Sequence, residues 1–356
     1  LAATLGYGYW RLNQTPPGAA GPVAKIALIQ GSIDTVFEPP TSEKVRATYD
    51  HYNTLMADAV TEQPNLDLVV WPESMFVIPE RMIEEPLVVP ADAGISTDEL
   101  RSGIAAASSE FEMVLAAEAA RANENSESTG PGTHLLVGTN TFIYGQNQPR
   151  SYNTALLANR HGKVAGRYYK THAVMFGEYI PFGDVLPWIY RLTPMPGGMS
   201  VGEGPEAFEI AGLRMSPSIC FESTVPHLIR GQVIELARRD QPVDVLVNVT
   251  NDGWFWGSGI LDQHLRCGVL RAVENRKPLV VAANTGISAH IDGNGVIRQR
   301  GPKRDRQAIV AQVQADGRIS PYHWLGDLPA NVCALACLGL ALVGSLNWNS
   351  STNQAS

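Results

Sequence analysis

The chain has 356 residues, of which 44% are hydrophobic and 17% are charged, and its formal net charge is -8. This composition is typical of globular proteins and allows a large buried core. The acidic balance, without any dense run of Lys and Arg, indicates that the chain does not bind nucleic acid. Its four cysteines lack the paired CxxC spacing of a zinc site and are too few for a disulfide framework.

Both ends of the chain are apolar. Residues 1–12 (LAATLGYGYWRL) are typical of the end of a membrane helix. Residues 330–346 carry no charge and fall just short of the roughly 20 residues that span a bilayer. Trp324 and Trp348 flank them, as an aromatic belt would. We therefore predict a C-terminal membrane helix over residues 325–346, with a buried helix as the alternative.

A Pro/Gly-rich linker over residues 13–22 leads into a predicted globular domain over residues 23–318. Nearly continuous apolar runs predict strands that are covered on both faces. These runs are Val23–Ile29, Leu66–Trp71, Leu135–Gly138, Val243–Val249 and Leu279–Ala283. Helical patterns lie between them, at Ser42–Gln63, Thr97–Phe111 and Leu261–Arg276. Residues 120–134 are predicted to be a surface loop. The alternation of strands and helices predicts an α/β sandwich.

Glu73 is the first candidate for chemistry, because it follows the apolar run Leu66–Trp71 directly after Pro72. Ligands and catalytic groups in α/β folds lie at the ends of strands. A carboxylate that Trp71 and Met75 shield there can act as a general base. For Glu73 taken alone, a solvated loop carboxylate is the alternative.

Lys170 is the second candidate, because it follows two aromatic residues in the motif YYKTH. A lysine held among aromatic rings is partly desolvated and can provide a fixed positive charge for an oxyanion. A structural lysine whose stem packs on those rings is the alternative. The motif FGEYIPFG at residues 176–183 supplies Glu178 as a partner or orienting group for Lys170.

Cys220 is the third candidate, at the end of a strand-like run and two residues before Glu222. A cysteine becomes nucleophilic when a nearby cation or base favours the thiolate. An inert buried cysteine is the alternative. Histidines 172, 227 and 264 are competing partners for Cys220, and no spacing distinguishes one of them.

The order of Glu73 in WPES, Lys170 in YYKTH and Cys220 in SICFES resembles the carbon–nitrogen hydrolase (nitrilase) superfamily. Further matching motifs are NDGWF at 251–255, QH at 263–264, RAVENR at 271–276 and NTG at 284–286. The resemblance runs from about residue 23 to about residue 313. It implies a nitrilase-like four-layer αββα sandwich without a cofactor. It also implies that Glu73 is the general base, Lys170 the electrostatic stabiliser and Cys220 the nucleophile.

Within this superfamily the chain resembles the apolipoprotein N-acyltransferases most, through residues 176–183, the QGS turn at 30–32 and the apolar ends. This likeness implies N-acylation of the α-amino group of an apolipoprotein's diacylglyceryl-cysteine, from a phospholipid donor through a Cys220 thioester. It also implies a catalytic domain on the periplasmic side of the bacterial inner membrane, in contact with the bilayer. Phe221 is a departure, because many relatives carry Tyr at that position.

Residues beside the three candidates are expected to bind acyl chains and to exclude water. The expected substrate-binding residues are Trp71, Met75, Phe76, Tyr179, Asn251, Trp254 and Phe255. Glu178, Phe221 and Glu222 are expected to support the catalytic residues. Two other functions remain open: a soluble amidase that uses the same triad on a small amide, and an inactive nitrilase-like binding module.

Overall fold

The computed structural model describes residues 2–34, 41–89, 94–126, 132–183, 185–192 and 198–353. The chain divides into two compact units, residues 1–318 and residues 319–356. The first unit contains both β-sheets and the helices that cover them, and the second unit is helical.

The first sheet has seven strands. Six of them lie side by side in one continuous order, and the seventh, β3, pairs with β4 outside that order. Its strands are β1 (Val23–Gln30), β2 (Leu68–Val70), β3 (Glu80–Ile83), β4 (His134–Tyr144), β5 (Arg150–Ala158), β6 (Val164–Tyr169) and β13 (Gln307–Gln314). The continuous order is β13-β1-β2-β4-β5-β6. The central strands β1, β2 and β4 are parallel, whereas β5 and β6 extend the sheet as antiparallel strands. The carboxyl ends of β2 and β6 therefore lie at the same edge of the sheet.

The second sheet has six strands in the order β12-β11-β10-β9-β8-β7. Its strands are β7 (Phe208–Ile210), β8 (Leu213–Ile219), β9 (Val245–Thr250), β10 (Leu279–Ala283), β11 (Ala289–Ile291) and β12 (Ile297–Arg300). The three central strands β8, β9 and β10 are parallel. Parallel strands that are buried on both faces have the continuous apolar sequence seen in β9 and β10.

The helices begin and end at recognisable signals. They are α1 (Ala2–Leu12), α2 (Ser42–Glu62), α3 (Thr97–Ala122), α4 (Pro226–Arg238), α5 (Ile260–Asn275), α6 (Tyr322–Leu325) and α7 (Leu328–Asn353). Ser96 and Glu99 form a capping box at the start of α3, which satisfies two backbone N–H groups reciprocally. Arg276, in the left-handed conformation, ends α5.

Three apolar clusters define four layers. The first fills the space between the two sheets and includes Leu28 from the first sheet and Val247 from the second. The second packs α2 and α3 on the outer face of the first sheet, through side chains such as Phe111. The third packs α4 and α5 on the outer face of the second sheet, through Leu236 and Leu265. This is the four-layer αββα sandwich that the sequence predicts.

The five strands and three helices expected from the sequence are all present, with shifted ends. The largest shift is in α3, which continues to Ala122 instead of ending at Phe111. Its last turns are rich in Ala and Glu, which favour helix even without a clear apolar stripe. The surface loop expected over residues 120–134 therefore begins later than predicted, and residues 127–131 of it lie outside the described residues.

The two apolar ends of the chain are both helical, in α1 and α7. Within the described parts of the chain, however, no helix combines the length and apolarity that crossing a membrane requires. The expected membrane helices are thus supported as helices and not as membrane spans.

The inter-sheet core should carry much of the stability. Leu28 is fully buried there, so we expect Leu28→Ala to lower the free energy of unfolding by about 2–5 kcal/mol through lost burial and a residual cavity. The matched control is Leu270→Ala on α5, where the side chain is 54% exposed and the change should stay within about 0.5 kcal/mol. Urea denaturation of both variants measures the difference. Equal losses would contradict this placement of the core.

Candidate active site

Glu73 lies just past the carboxyl end of β2 and is buried, with 6% of its surface exposed. One carboxylate oxygen, Oε2, accepts the backbone N–H of Asn251 at 2.8 Å. The other, Oε1, accepts the side-chain amide of Asn153 at 2.6 Å and lies 3.4 Å from the ammonium of Lys170. Because both oxygens have fixed donors, the carboxylate is held in one orientation.

A glycine on the neighbouring strand makes room for the backbone that carries Glu73. A Cβ added at Gly138 in β4 would lie 2.4 Å from the Cα of Glu73 and 2.4 Å from the carbonyl oxygen of Pro72. The chain turns sharply here, because Ser74 has a φ of 60°. Left-handed backbone at a non-glycine residue is strained and often occurs at functional sites.

Lys170 follows β6 and is 97% buried. Its ammonium donates to Oε1 of Glu178 at 2.7 Å as well as approaching Glu73. Burial alone would lower the pKa of Lys170, but the negative charges of Glu73 and Glu178 raise it above its ordinary value. Lys170 is therefore a permanent cation in this site.

Glu178 completes this group from the loop of the FGEYIPFG motif. Its Oε2 accepts the backbone N–H of Val174 at 2.8 Å, and its Oε1 is also 3.2 Å from the amide nitrogen of Asn153. Asn153 thus donates to both carboxylates that flank the ammonium of Lys170. The structure gives Glu178 the partner position that the sequence analysis expects for it.

Cys220 is the first residue of a 3₁₀ turn, Cys220–Thr224, directly after β8, and it is half-buried. Its φ of 52° is left-handed, which costs a non-glycine residue roughly 1–2 kcal/mol. Burial and the negative charge of Glu73 raise the pKa of the thiol well above its ordinary value, and Lys170 opposes them. The thiol is therefore neutral at rest, and a base must remove its proton when it reacts.

The three residues of the candidate triad are brought together, although Glu73 and Lys170 are 97 positions apart in the sequence. The side chains of Glu73 and Lys170 are in direct contact, and both charges act on the thiol of Cys220. A carboxylate, an ammonium and a thiol that lie close together are the groups that acyl transfer through a covalent intermediate requires.

Glu222 holds the backbone on either side of this pocket. It is fully buried and accepts the N–H groups of Ile219 at 2.7 Å and Thr171 at 2.7 Å, together with the hydroxyl of Tyr168. Burial raises the pKa of Glu222, and these donors oppose that effect. Phe221 lies between Cys220 and Glu222 in the sequence. Its side chain is 43% exposed, and its ring stacks on that of His172.

The expected substrate-binding residues beside Glu73 lie in the core. Trp71, Met75 and Phe76 are only 0%, 8% and 1% exposed and belong to the cluster under α2 and α3. The ring of Trp71 packs against Tyr52 of α2, with centroids 5.3 Å apart. These side chains leave almost no surface for a substrate to contact, and their role in substrate binding stays a prediction.

The other expected substrate-binding residues lie around the pocket. Asn251 contacts Glu73 through its backbone N–H, and Tyr179 is half-buried next to Glu178. Trp254 and Phe255 are 51% and 38% exposed in the 3₁₀ turn Asp252–Phe255 that follows Asn251. Trp254 and Phe255 are thus accessible from solvent, whereas Asn251 is buried, and substrate binding by these residues stays a prediction.

Asn153 and the role of His264 are the parts of the site that the sequence analysis missed. The sequence gives no signal for Asn153, because it lies among other polar residues in the first half of β5 and its partner Glu73 is 80 positions away. Among the three candidate histidines, His172 stacks on Phe221 and His227 is exposed on α4. His264 reaches the backbone carbonyl of Cys220, with its Nε2 3.2 Å from that oxygen.

Residues 25–320 match the family model of carbon–nitrogen hydrolases. The chain belongs to this family. Among solved structures with the same fold are a Nesterenkonia amidase of the nitrilase superfamily (TM-score 0.52, 16% identity, 85% of this chain and 94% of that chain) and Saccharomyces cerevisiae Nit3 (TM-score 0.52, 18% identity, 82% and 90%). At these identities the likeness concerns the fold alone.

Curated relatives of this carbon–nitrogen hydrolase include proteins named apolipoprotein N-acyltransferase. That of Rhodopirellula baltica is 33% identical over 358 residues, and that of Geobacter metallireducens is 33% identical over 348 residues. The matches cover 96% and 97% of this chain, respectively. The chain spans 61% and 57% of the length of these two relatives.

The close approach at Gly138 can be tested directly. We expect Gly138→Ala to push Glu73 out of position and to slow acylation of Cys220 by p-nitrophenyl acetate about 10²-fold, since small displacements of catalytic groups have effects of this size. The matched control is Gly231→Ala on α4, where an added Cβ meets nothing within 4 Å. The burst of nitrophenolate measures both rates. An unchanged rate in Gly138→Ala would show that the position of Glu73 is unimportant.

Proposed function

We propose that this chain carries the catalytic domain of an enzyme that transfers an acyl chain from a phospholipid to the α-amino group of an apolipoprotein's diacylglyceryl-cysteine. The observation that carries the proposal is the buried group of Glu73, Lys170 and Glu178 beside the thiol of Cys220. The names of the curated relatives support the choice of substrates.

In the first step Glu73 accepts the thiol proton of Cys220 while the sulfur attacks the ester carbonyl of the phospholipid. Lys170 stabilises the resulting oxyanion. Removing one such donor typically lowers the rate about 10²- to 10³-fold. When the carbon–oxygen bond breaks, Glu73 returns the proton to the leaving lysophospholipid. A thioester remains on Cys220, with no cofactor needed.

In the second step the free amine of the diacylglyceryl-cysteine attacks this thioester. Glu73 accepts the proton from the amine, and the sulfur leaves as the Lys170-stabilised thiolate, which Glu73 then reprotonates. The amide product and the free thiol of Cys220 result. Two substrates that share one covalent intermediate predict ping-pong kinetics.

Apolar side chains at the pocket rim fit a lipid substrate. Phe176 and Phe182, on the loop that carries Glu178, are 72% and 76% exposed. Trp254 and Trp256, on the turn after Asn251, are 51% and 68% exposed. Exposed apolar groups of this kind mark interaction sites for lipids or proteins. We assign this rim to the acyl chains and to the bilayer, on the periplasmic side of the bacterial inner membrane.

Trapping the intermediate tests the chemistry. With phosphatidylethanolamine of one defined acyl chain, intact mass spectrometry of the chain should show an adduct of that acyl mass. Adding a diacylglyceryl-cysteine lipopeptide should discharge the adduct and acylate the lipopeptide. We expect Cys220→Ala to form no adduct, whereas the matched control Cys267→Ala, at another half-buried cysteine, should form it normally.

The outcomes separate the functions that the sequence leaves open. Discharge of the adduct to water instead of to the lipopeptide would refute acyl transfer. Hydrolysis of a small amide without any phospholipid adduct would identify an amidase. The absence of both reactions would indicate a binding module.

The apolar rim gives a second prediction. We expect Phe182→Ser to lower kcat/KM for phosphatidylethanolamine vesicles about tenfold, since burying one such side chain is worth roughly 1.5–3 kcal/mol. The rate with water-soluble p-nitrophenyl acetate should not change, because the reacting groups are untouched. Val296→Ser, at a 46% exposed position in the turn before β12, is the matched control and should affect neither rate. Equal losses for both esters would argue against lipid contact at Phe182.

A further inference from the structure

Three side chains converge on the backbone carbonyl of Cys220. The amide nitrogen of Asn248 lies 3.3 Å from this oxygen, the hydroxyl of Ser223 lies 3.2 Å from it, and Nε2 of His264 lies 3.2 Å from it. The carbonyl belongs to the residue with a φ of 52° that also carries the thiol. Its direction therefore helps to decide where the sulfur points.

His264 is itself held from the opposite side of its ring. Its Nδ1 lies 2.9 Å from Oδ1 of Asp252, which is buried and also accepts the hydroxyl of Thr250 at 3.0 Å. A carboxylate can only accept, so Nδ1 carries a proton. The charge of the ring then depends on whether Nε2 is protonated as well.

The two states of Nε2 give Cys220 different support. In neutral His264, Nε2 accepts a hydrogen bond from the hydroxyl of Ser223, whose oxygen lies 2.8 Å away. Of the three side chains, only Asn248 then donates to the Cys220 carbonyl, which faces a lone pair of the ring. In the imidazolium, Nε2 donates, and the hydroxyl of Ser223 is free to donate to the carbonyl as well.

We propose that His264, oriented by Asp252, is a positioning residue. When its ring is protonated, it fixes the carbonyl of Cys220 and thereby aims the thiol at the acyl donor. When the ring is protonated, the hydroxyl of Ser223 donates to the carbonyl of Cys220 instead of to Nε2 of His264. His264 forms and breaks no covalent bond in the reaction. This inference rests on the proposed function only in taking Cys220 as the nucleophile.

The surroundings of the ring favour the protonated form. Burial lowers the pKa of His264, but Asp252, the Cys220 carbonyl and the charge of Glu73 raise it above its ordinary value. These groups come from the segments that follow β9, β8 and β2. The strand β10, which also packs on α5, holds no titratable residue, and in the described structure α4 and β11 place no hydrogen-bonding group on the ring.

The sign of the pH effect follows from this shift. A raised pKa keeps the imidazolium present above the ordinary pKa of histidine, and it is lost as pH rises through the raised value. The burst rate of Cys220 acylation by p-nitrophenyl acetate should therefore fall on the alkaline side of that value. His264→Gln replaces Nε2 with an amide that donates at every pH, so this fall should disappear. His264→Phe should lower the rate about 10- to 100-fold on the acid side of that value, as expected for loss of a charged donor, and should remove the alkaline fall.

Two further variants complete the experiment. Asp252→Asn should move the fall in rate to lower pH, and NMR titration of the ¹⁵N-labelled imidazole should report the same downward shift. His227→Gln, at an exposed histidine on α4, is the matched control and should leave the profile unchanged. Circular dichroism checks that each variant is folded.

An alkaline fall that persists unchanged in His264→Gln would overturn the proposal, as would an imidazole that is already neutral at pH 6. The outcome is separate from that of the proposed function. If the wild-type chain gives a normal burst with p-nitrophenyl acetate but no adduct with phosphatidylethanolamine, acyl transfer from phospholipid fails while the role of His264 stands or falls on its own profile.

Discussion

One ammonium shared by two carboxylates sets the chemistry of this molecule. Lys170 lies 2.7 Å from Glu178 and 3.4 Å from Glu73, and Asn153 donates to both acids. Removing the ammonium of Lys170 would leave two buried carboxylates without a compensating cation, which is strongly unfavourable. Two carboxylates and one ammonium leave a negative excess, which disfavours a further negative charge on the sulfur of Cys220. The thiol of Cys220 is therefore protonated at rest.

The two-sheet architecture delivers these groups from distant parts of the sequence. Glu73 and Lys170 follow strands of the first sheet, whereas Cys220 follows β8 of the second sheet. Packing the inner faces of the sheets against each other places the carboxyl ends of their parallel strands at one edge of the sandwich. The site thus requires the complete inter-sheet core, and no single segment of the chain can form it.

Much of this arrangement could be predicted from the sequence, and the misses have physical causes. Continuous apolar runs identify central strands such as β9 and β10, and the motifs around Glu73, Lys170 and Cys220 lie at strand ends. Short strands such as β7 and β11 have only three residues each, too few for a periodic signal. Asn153 could not be assigned, because its importance depends on partners that only the fold brings near. The burial of Trp71 and Phe76 under α2 and α3 could not be predicted either, because sequence does not tell which side of a strand end an aromatic ring faces.

The contacts of Glu222 join the two layers of strands at the reactive edge. This carboxylate accepts backbone N–H groups from Ile219, beside the nucleophile, and from Thr171 and His172, beside the ammonium. These hydrogen bonds fix the backbone beside the sulfur relative to the backbone beside the ammonium. The exposed aromatic residues Phe176, Phe182, Trp254 and Trp256 make none of these hydrogen bonds with Glu222. Evolution could therefore vary the shape of the entrance among related proteins without disturbing the distance between the atoms that react.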